Sequence, residues 1–439
     1  MKILHCLRNF LPDRVAGTEI YVAGLCNELQ NLGIEVVVIN PSFGIEPKEY
    51  FYKGIRVKQY LETSLPSAVI QSGLIAPAGL ANFKKLLLKE KPDAIHFHEM
   101  AGSNGVTIYH LMAAKEMGFP IFTTFHLCGN ICMRNSFLYK GKVPCNGIID
   151  EYKCAVCILE KKRLFFGMPE IASFFGQHFK KRISQSGIGK LFNYPLYVKQ
   201  HTANLNKVNS LSEKMFVLSG WYKALLVSNG LDKHKIVVLP PAIAKPISVP
   251  ALSAKNKIPD NNRIKFVYAG RITEIKGLHI LLEALLNLKQ QNWILDIYGA
   301  VSDMDYFKTC VQQTADNPLI NWRGTIDNDK IISTLSEYDT LIFPSIVQET
   351  MGLIMLEAFA AGLPVIGSSI WSVKEQIKDG MNGLIFYTGD SFSLQGVLKN
   401  VLNDPSLLIK MAKNIKAPFY MDGVANITLS AYNEIIQVK

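Results

Sequence analysis

Two cations in the second half of the chain have the types and spacing of a diphosphate site. Arg271 and Lys276 follow an apolar strand that ends at Gly270, and an amphipathic helix begins near Gly277. Two cations beside a helix N-terminus can clamp a diphosphate, because the first N–H groups of the helix are unsatisfied and carry the positive end of its dipole. Solvated cations are also common at helix starts, so this pattern alone leaves both interpretations open.

The stretch QETMGLIMLEAF, residues 348–359, places two carboxylates around an apolar run. It follows the buried strand LIFPS, and its helix is expected to begin around Met351–Gly352 and to end near Ala361. Glu349 would then lie on the loop, where it can meet a sugar, and Glu357 two turns along the helix, where it can accept hydrogen bonds from ribose hydroxyls. Taken alone, Glu357 would be an ordinary helix-surface carboxylate. The N–H groups between the two carboxylates can bind a phosphate, and they belong to Thr350, Met351, Gly352 and Leu353.

The elements that must position these residues form two similar halves. At 439 residues, the chain exceeds the roughly 250–300 residues at which single cores stop growing. Strand-like runs such as EVVVIN and PIFTTFH alternate with amphipathic helices in the first half, as IKFVYAG and WILDIYG do in the second. Both halves predict doubly wound parallel sheets, whose ligands bind beyond the carboxyl ends of the strands. We expect domains over 1–245 and 246–415, joined within the proline-rich 239–250, and a helix over 416–439 packing back on the first domain.

In combination, these motifs resemble the retaining GT-B glycosyltransferases of family 4, group 1, which use nucleotide-sugar donors and share a Glu-x7-Glu signature. Glu349 and Glu357 are that signature here, within PSIVQETMGLIMLEAFAAGLPVIGS. The segments RVAGTEIYVAGLCNELQNLGIEVVVIN, KPDAIHFHE and GRITEIKG extend the resemblance along nearly the whole chain. It implies an α/β GT-B fold, in which two Rossmann-like domains face each other across a cleft, the first binding the acceptor and the second the donor.

The resemblance also implies roles in the second domain. Arg271 and Lys276 would neutralise the diphosphate leaving group, Glu349 would hold donor-sugar hydroxyls, and Glu357 would bind the ribose. Because two cations and a helix end can stabilise the leaving phosphate, no metal cofactor is expected for catalysis. The acidic triplet DMD, residues 303–305, looks like the metal-binding DxD of another transferase fold, but surface acids or a helix N-cap are expected there. The residues expected to border the base are Gly324, Thr325 and Ile326.

In the first domain, the resemblance implies that His126 contacts the donor sugar and that the backbone at Gly17 approaches the phosphates. Two departures from the family pattern bear on these roles. The first loop has Ala16–Gly17 where two glycines are common, and Leu127 follows His126 where an aspartate is common.

Five of the eight cysteines lie in a Cys-rich insertion, residues 128–157. Four of them have the spacing C-x12-C-x8-C-x2-C, which suits a structural zinc site in a cytoplasmic protein, and an iron–sulfur cluster remains an alternative. A disulfide is disfavoured by the expected compartment. Some members of the resembled family carry a similar insertion. Zinc would fix the loop next to His126 without taking part in bond transfer, and its predicted ligands are Cys132, Cys145, Cys154 and Cys157.

The net charge of +11 comes from the first half of the chain, and its densest part is a basic aromatic segment, residues 161–207. This segment holds nine basic residues, one acid and eight Phe or Tyr residues. It could lie on an anionic bilayer, where each cation near the surface contributes about 1 kcal/mol. A solvated helix face is the alternative, and nucleic acid is disfavoured because no recognition motif appears. Residues 63–83 contain no charged side chain. We expect them to form a surface loop rather than a membrane span.

The sequence therefore predicts a cytoplasmic enzyme, peripheral on the inner face of the cell membrane, that transfers a sugar with retention onto a glycan or lipid-linked acceptor. Cell-surface polysaccharide or glycolipid synthesis is the expected context. Two alternatives stay open. A nucleotide-sugar epimerase of the same fold would release a free sugar, and a non-catalytic GT-B-like subunit would recruit a partner enzyme. A dinucleotide dehydrogenase is disfavoured, since no GxGxxG follows the first strand.

Overall fold

The computed structural model describes residues 1–44, 46–64, 67–100, 106–162, 164–179, 187–244, 263–315 and 317–436. Part of the predicted join at 239–250 and part of the basic aromatic segment lie outside these ranges. The chain divides into two compact units, Met1–Pro240 with Met421–Lys439, and Pro241–Tyr420. Within the described residues, no helix is both long and apolar enough to cross a membrane.

The first unit is built on an eight-stranded sheet. Its strands, together with a two-stranded hairpin formed by β7 and β8, are β1 (Lys2–Cys6), β2 (Glu35–Phe43), β3 (Glu49–Tyr52), β4 (Ile55–Glu62), β5 (Ala94–His98), β6 (Ile121–Phe125), β7 (Leu138–Tyr139), β8 (Val143–Pro144), β9 (Lys214–Val217) and β10 (Ile236–Val238). The order is β10-β9-β6-β5-β1-β2-β4-β3, and only β3 runs antiparallel within this sheet. The chain adds β2 on one side of β1 and later adds β5 on the other side. The direction of winding therefore reverses at β1, and the switch point of this sheet lies between β1 and β5.

The positions of the helices in the first unit contradict the loop predicted for residues 63–83. They are α1 (Gly17–Asn31), α2 (Ala68–Gln71), α3 (Leu80–Glu90), α4 (Ile108–Glu116), α5 (Glu151–Glu160), α6 (Met168–Gly176), α7 (Tyr194–Leu211) and α8 (Gly220–Ser228). The assignment of residues 63–83 to a loop was wrong, because α2 and the start of α3 fall within it. Phe83 of α3 is fully buried, and the backbone N–H of Gly79 donates to the buried carboxylate of Glu62, which fixes the chain before the helix.

The second unit contains a six-stranded sheet in which every pairing is parallel. Its strands and the pair β11–β18 are β11 (Ala242–Ile243), β12 (Ile264–Ala269), β13 (Trp293–Tyr298), β14 (Ile320–Gly324), β15 (Thr340–Phe343), β16 (Val365–Ser368), β17 (Gly383–Phe386) and β18 (Phe419–Tyr420). The order β14-β13-β12-β15-β16-β17 is the doubly wound order 3-2-1-4-5-6. The switch point therefore lies between β12 and β15.

Helices cover both faces of this second sheet. They are α9 (Leu278–Leu286), α10 (Met304–Thr314), α11 (Ile331–Leu335), α12 (Leu353–Ala360), α13 (Trp371–Gln376), α14 (Ser391–Asn403) and α15 (Ser406–Lys413). Successive residues of β12 point into separate cores, Phe266 with Leu281 and Val267 with Met355. A strand buried on both faces must be apolar throughout, as IKFVYA nearly is. The predicted α/β fold with two parallel sheets is confirmed.

The last helix, α16 (Met421–Ile436), belongs to the first unit. It packs against α1, where Gly24 lies so close to the side chain of Met421 that a Cβ would be 3.3 Å from its Cγ. The hydroxyl of Tyr432 is hydrogen-bonded to Nδ1 of His96 on β5 at 2.5 Å. The C-terminal helix is therefore tied to the face of the first sheet.

Candidate functional site

The residues singled out in the second unit converge on its switch point. Gly270, Arg271 and Lys276 lie on the loop between β12 and α9, and Glu349 lies on the loop between β15 and α12. Since β12 and β15 are adjacent parallel strands, both loops leave the same edge of the sheet. Doubly wound sheets bind their ligands at this position.

Backbone contacts hold the two loops together. The N–H of Ile346 donates to the carbonyl of Ile275 at 3.1 Å. Gly277, which has a φ of +70°, approaches the carbonyl of Pro344 so closely that a Cβ would overlap its oxygen. Only glycine meets both demands, the positive φ and the close approach. The loop that carries Lys276 is thereby fixed against the loop that carries Glu349.

Lys276 and Glu349 form an ion pair across these loops, with Nζ 2.7 Å from Oε1. Each side chain is only 17% exposed. Oε1 makes no aligned hydrogen bond, so the attraction is mainly electrostatic. A partly buried pair of this kind can be separated by a ligand that offers an anion to the ammonium group and hydroxyls to the carboxylate.

Arg271 provides a second cation without a protein partner. Its side chain is exposed, and within the described residues its guanidinium makes no hydrogen bond or ion pair. Its backbone is fixed, because the hydroxyl of Tyr268 donates to the Arg271 carbonyl at 3.0 Å. Gly299, after β13, approaches the carbonyl of Gly270 so closely that a Cβ would overlap the oxygen. The guanidinium is thus available for an anion at a well-defined point on the loop.

The N-terminus of α12 supplies N–H donors next to these cations. Gly352 is the N-cap and provides no side-chain hydrogen bond. A Cβ at this position would lie 2.7 Å from Cε of Met355, so the end of the Met355 side chain would have to move to admit a larger residue. Thr350 is buried, whereas Met351 and Leu353 are half-buried. A helix end that its own side chains leave uncapped favours a bound anion.

Glu357 lies in the second turn of α12. Its side chain is half-buried, and within the described residues nothing donates a hydrogen bond to its carboxylate. Burial raises the pKa of Glu357 to about 7. A desolvated carboxylate without donors is unfavourable unless it is protonated or a ligand supplies the donors, as the two hydroxyls of a ribose would.

Thr325 and Ile326 follow β14 at the same edge of the sheet. Thr325 is exposed and Ile326 is half-buried. Gly324, with a φ of +76°, accepts a hydrogen bond from the Gly299 N–H at 2.7 Å. Among the described residues, no hydrogen bond or ion pair joins Thr325 or Ile326 to either glutamate. Asp303 caps α10 and accepts a hydrogen bond from the Tyr306 N–H, so the helix N-cap expected for the DMD triplet is confirmed.

In the first unit, Gly17 and His126 both lie at the carboxyl edge of the sheet. Gly17 is the exposed first residue of α1, after β1. His126 follows β6 and is almost completely buried. Burial lowers the pKa of His126 to about 3, so the imidazole is neutral at any working pH. It can therefore offer one donor and one acceptor, and no charge.

A hydrogen-bonded chain of buried histidines positions His126, and the sequence alone did not predict it. Nδ1 of His98 is 3.0 Å from Nε2 of His126, and Nδ1 of His5 is 2.8 Å from Nε2 of His98. Glu99, with a φ of +57°, accepts the backbone N–H of His126 at 3.1 Å. The alternating histidines in AIHFHE were the available signal, because residues two apart on a strand share a face.

The chain also has a preferred direction. Nε2 of His5 has no partner within the described residues, and a buried lone pair without a partner is tolerated better than a buried N–H. We therefore infer that His5 donates to His98 and that His98 donates to His126, which leaves the proton of His126 on Nδ1. Three of the rings, those of His5, His96 and His98, bring ligand atoms within 4.8 Å of one another. Both nitrogens of His96 and of His98 are already paired, which favours a hydrogen-bond chain over a metal site.

The four predicted metal-ligating cysteines line one cavity of the insertion. Cys132 follows a 3-10 turn, Cys145 follows β8, and Cys154 and Cys157 lie on α5. The backbone N–H of Lys140 donates to the sulfur of Cys157 at 3.2 Å. Zinc held by four thiolates needs sulfur atoms about 3.8 Å apart. Within the described residues, the cysteines are not among the groups of three or more ligands that lie within 4.8 Å of one another.

Two family models match separate parts of the chain. Residues 15–144 match the model described as Glycosyltransferase Family 4, and residues 250–417 match the model described as Glycosyl transferases group 1. An uncharacterized glycosyltransferase of Methanocaldococcus jannaschii is 30% identical over 178 residues, which are 39% of this chain and 45% of that protein. The chain spans about half the length of the curated relatives it matches.

Solved structures resemble the chain over its whole length. Sucrose-phosphate synthase from Thermosynechococcus elongatus has a TM-score of 0.68 at 16% identity, and the match covers 100% of both chains. HepE of Anabaena, in complex with UDP and glucose, has a TM-score of 0.64 at 14% identity, covering 99% of this chain and 100% of that chain. Such low identities show the fold alone. Through residues 15–144 and 250–417, the chain belongs to the family 4 and group 1 glycosyltransferases, and it has their two-domain GT-B fold.

Proposed function

We propose that this chain is a retaining glycosyltransferase that moves a hexosyl group from a nucleoside-diphosphate sugar onto a glycan or lipid-linked acceptor. We place it in the synthesis of a cell-surface polysaccharide or glycolipid. The observation that carries the proposal is the meeting of two cations, a helix N-terminus and two carboxylates at the β12/β15 switch point. That set matches the diphosphate, the sugar and the ribose of one donor molecule.

The diphosphate is proposed to bind between the two cations and the start of α12. Among the residues that the structure describes, the Arg271 guanidinium has no partner and Lys276 pairs with Glu349 alone. A bound diphosphate would attract Lys276 more strongly than one carboxylate does, because it carries more charge. Lys276 would then turn to the phosphate and leave Glu349 free for hydroxyls of the donor sugar. The ion pair thus holds both groups in place until the donor arrives.

The remaining contacts with the donor are part of the same proposal. The unpaired carboxylate of Glu357 would accept the ribose hydroxyls, and Thr325 and Ile326 would border the base. From the first domain, the backbone at Gly17 would approach the phosphates, and the neutral His126 would hydrogen-bond to the donor sugar. HepE of Anabaena was solved in complex with UDP and glucose. For this chain, the base and the sugar of the donor are open to experiment.

The proposed chemistry is front-face transfer without a metal ion. The bond between the anomeric carbon and the phosphate oxygen breaks, and the bond from the acceptor oxygen forms on the same face. The acceptor proton passes to the leaving phosphate oxygen, so no protein base is required. Arg271, Lys276 and the α12 N–H groups would stabilise the negative charge that develops on the leaving group.

Slow donor hydrolysis without acceptor or metal tests this proposal. Phosphorus NMR would follow release of the nucleoside diphosphate, and proton NMR would identify the first-formed anomer of the sugar. An α-linked donor should give the α-sugar first, and the β-sugar would overturn retention. A sugar altered at another carbon would indicate an epimerase, and no release with any donor or acceptor would indicate a binding subunit. Arg271→Ala and Glu349→Ala should abolish release, whereas Lys289→Ala, at an exposed turn of the same unit, should not.

A structural zinc ion at the cysteine cavity is a further proposal. The supporting observation is that Cys132, Cys145, Cys154 and Cys157 line one cavity and that a backbone N–H already points at one sulfur. Zinc would draw the four thiolates together and fix the insertion beside His126. An iron–sulfur cluster is the alternative at the same donor set, and its visible absorbance would distinguish it.

We propose that the protein acts in the cytoplasm, at the inner face of the cell membrane. None of the eight cysteines forms a disulfide bond, which supports a reducing compartment. A lipid-linked acceptor would bring the enzyme to the bilayer. Fractionation of cells that express the full chain would test this location, and recovery outside the cytoplasmic membrane and cytosol would contradict it.

A further inference from the structure

The outer face of α6 and the loops at its ends expose large apolar side chains. The inner face of α6 is fixed, because Ala172 and Ser173 are fully buried. Gly176 lies so close to the carbonyl of Phe192 that a Cβ would overlap its oxygen. The helix therefore cannot rotate to bury the opposite face. The exposed apolar residues are Phe165, Phe166, Ile171, Phe174, Phe175 and Phe179.

This patch differs from ordinary exposed apolar residues. Phe165 is 86% exposed and Phe166 is fully exposed, directly before α6. Single exposed residues such as Phe51 on β3 and Phe392 on α14 need no explanation. Six large apolar side chains within one short segment do, because a contiguous apolar patch on a folded protein marks a binding surface.

Exposed lysines lie on the segments that pack against α6, and the one acid of α6 is neutralised. Glu170 of α6 is 2.6 Å from Nζ of Lys140. Nζ of Lys162 lies 5.6 Å from the centroid of the Tyr194 ring, so this positive charge is held against an aromatic side chain. The exposed lysines on segments that pack around α6 are Lys161, Lys162, Lys190 and Lys199. The surface thus combines apolar side chains with positive charge, which complements a bilayer that carries anionic headgroups.

We propose that α6, with residues 164–167 before it and 177–179 after it, forms a lipid-binding surface that inserts its phenylalanines into an anionic bilayer. Apolar side chains lie at both ends of the nine-residue helix, about 13 Å apart. The helix axis would therefore lie parallel to the membrane plane, with the lysines at the headgroups. The inference deepens the proposed function and rests on it, because it gives the surface through which a lipid-linked acceptor is reached.

Vesicle binding tests the surface without donor or turnover, so its failure leaves the proposed transfer untouched. The full chain should co-sediment with vesicles of phosphatidylcholine and phosphatidylglycerol, and hardly with phosphatidylcholine alone. Higher salt should weaken the binding. Phe165→Ser with Phe166→Ser, and separately Lys161→Glu with Lys162→Glu, should each lower the partition coefficient roughly tenfold or more. The controls Phe51→Ser and Phe392→Ser, at other highly exposed phenylalanines, should bind like wild type.

A second measurement reports insertion directly. Phe166→Trp should show a blue shift of its emission with anionic vesicles and quenching by lipids brominated in the acyl chain, relative to wild type. Phe392→Trp should show neither. Absence of vesicle binding, or binding that survives both double substitutions, would overturn the proposal. So would a wild-type chain that dimerises through these phenylalanines, which would make the surface an interface between copies.

Discussion

Nζ of Lys276 lies 2.7 Å from Oε1 of Glu349, and the pair joins the loop after β12 to the loop after β15. The two side chains meet because Gly277 lets one loop touch the carbonyl of Pro344. In the account proposed here, this ion pair keeps the donor site ordered before the donor binds. When the donor binds, Lys276 would exchange Glu349 for the diphosphate, and Glu349 would exchange Lys276 for hydroxyls of the donor sugar.

Substitution of Lys276 should affect turnover more than stability. Lys276→Met removes a cation that stabilises the leaving phosphate, so kcat should fall by about a hundredfold. Glu349→Gln should lower kcat as well, and the double variant should lose less than the sum of the two losses, because the residues interact. Steady-state kinetics of the four proteins would measure this. Fully additive effects would contradict a shared site.

Gly277→Ala should destabilise the second unit through two separable causes. The positive φ opposes any Cβ, and the carbonyl of Pro344 occupies the place of that Cβ. Gly380→Ala is the matched control, because Gly380 has a φ of +74° with nothing within 4 Å. The control should cost about 1 kcal/mol, and Gly277→Ala should cost 2 kcal/mol or more beyond it, at roughly the scale of stored backbone strain. Urea unfolding of both variants would give these values, and equal losses would show that the contact is unimportant.

Donor affinity should rise with pH through about 7, and Glu357 should be the cause. Burial raises the pKa of Glu357 from 4.5 to about 7, whereas ribose hydroxyls bind best to the ionised form. Calorimetry with a nucleotide sugar suits this test, because its diphosphate lacks the terminal group that titrates near pH 6. In Glu357→Gln, the affinity should be lower and this dependence should vanish. A slope that persists in the variant would assign it to another group.

The same pKa predicts an effect on stability. The folded chain holds the Glu357 proton up to about pH 7, whereas the unfolded chain releases it near 4.5. Folding stability from this group is therefore lost as the pH rises from about 4.5 to 7. Glu357→Gln should consequently gain stability relative to wild type at pH 8 but not at pH 4. Thermal unfolding at both pH values, with Glu283→Gln at an exposed position of α9 as control, would measure the difference.

His98→Phe should change the state of His126 while leaving the donor contacts of the second unit intact. Nδ1 of His98 is 3.0 Å from Nε2 of His126. The phenylalanine cannot donate a hydrogen bond to Nε2 of His126, so His126 loses its preference for carrying its proton on Nδ1. Nitrogen NMR of labelled histidine should show His126 as the Nδ1–H tautomer in wild type and a mixture in the variant. Turnover should fall without a matching loss of nucleotide affinity. An unchanged tautomer would show that His98 does not position His126.

Metal analysis tests the cysteine cavity. The purified chain should carry about one zinc ion, and chelation should lower its melting temperature. Cys154→Ser should lose the metal, whereas Cys310→Ser, at a buried position of the other unit, should keep it. Donor binding in the second unit should persist without zinc. A chain that is metal-free as isolated from zinc-supplemented cells would contradict the site.

The sequence could predict those features that depend on local patterns. Alternating apolar runs predicted the strands that flank the switch point, and the residues after β12 and β15 follow from where those strands end. The expected helix at 351–361 is α12, Leu353–Ala360. By contrast, the loop expected at 63–83 contains helices, because Phe83 is buried by tertiary packing that no local pattern shows.

Features that depend on register or on distant contacts could not be predicted. The chain from His5 to His126 exists because β1 and β5 pair with His5 opposite His96. The Lys276–Glu349 pair requires two loops far apart in sequence to touch at Gly277. The raised pKa of Glu357 likewise comes from burial, which a spacing of two glutamates does not reveal.

The most direct test is thermal stabilisation of the purified protein by a panel of nucleoside diphosphates without added metal, in wild type and in Glu357→Ala. We predict that one nucleoside diphosphate, at concentrations well above its Kd, clearly raises the melting temperature of wild type and does not raise that of the variant. The base that stabilises would identify the donor class. No shift with any nucleoside diphosphate, or an equal shift in the variant, would contradict the proposed donor site.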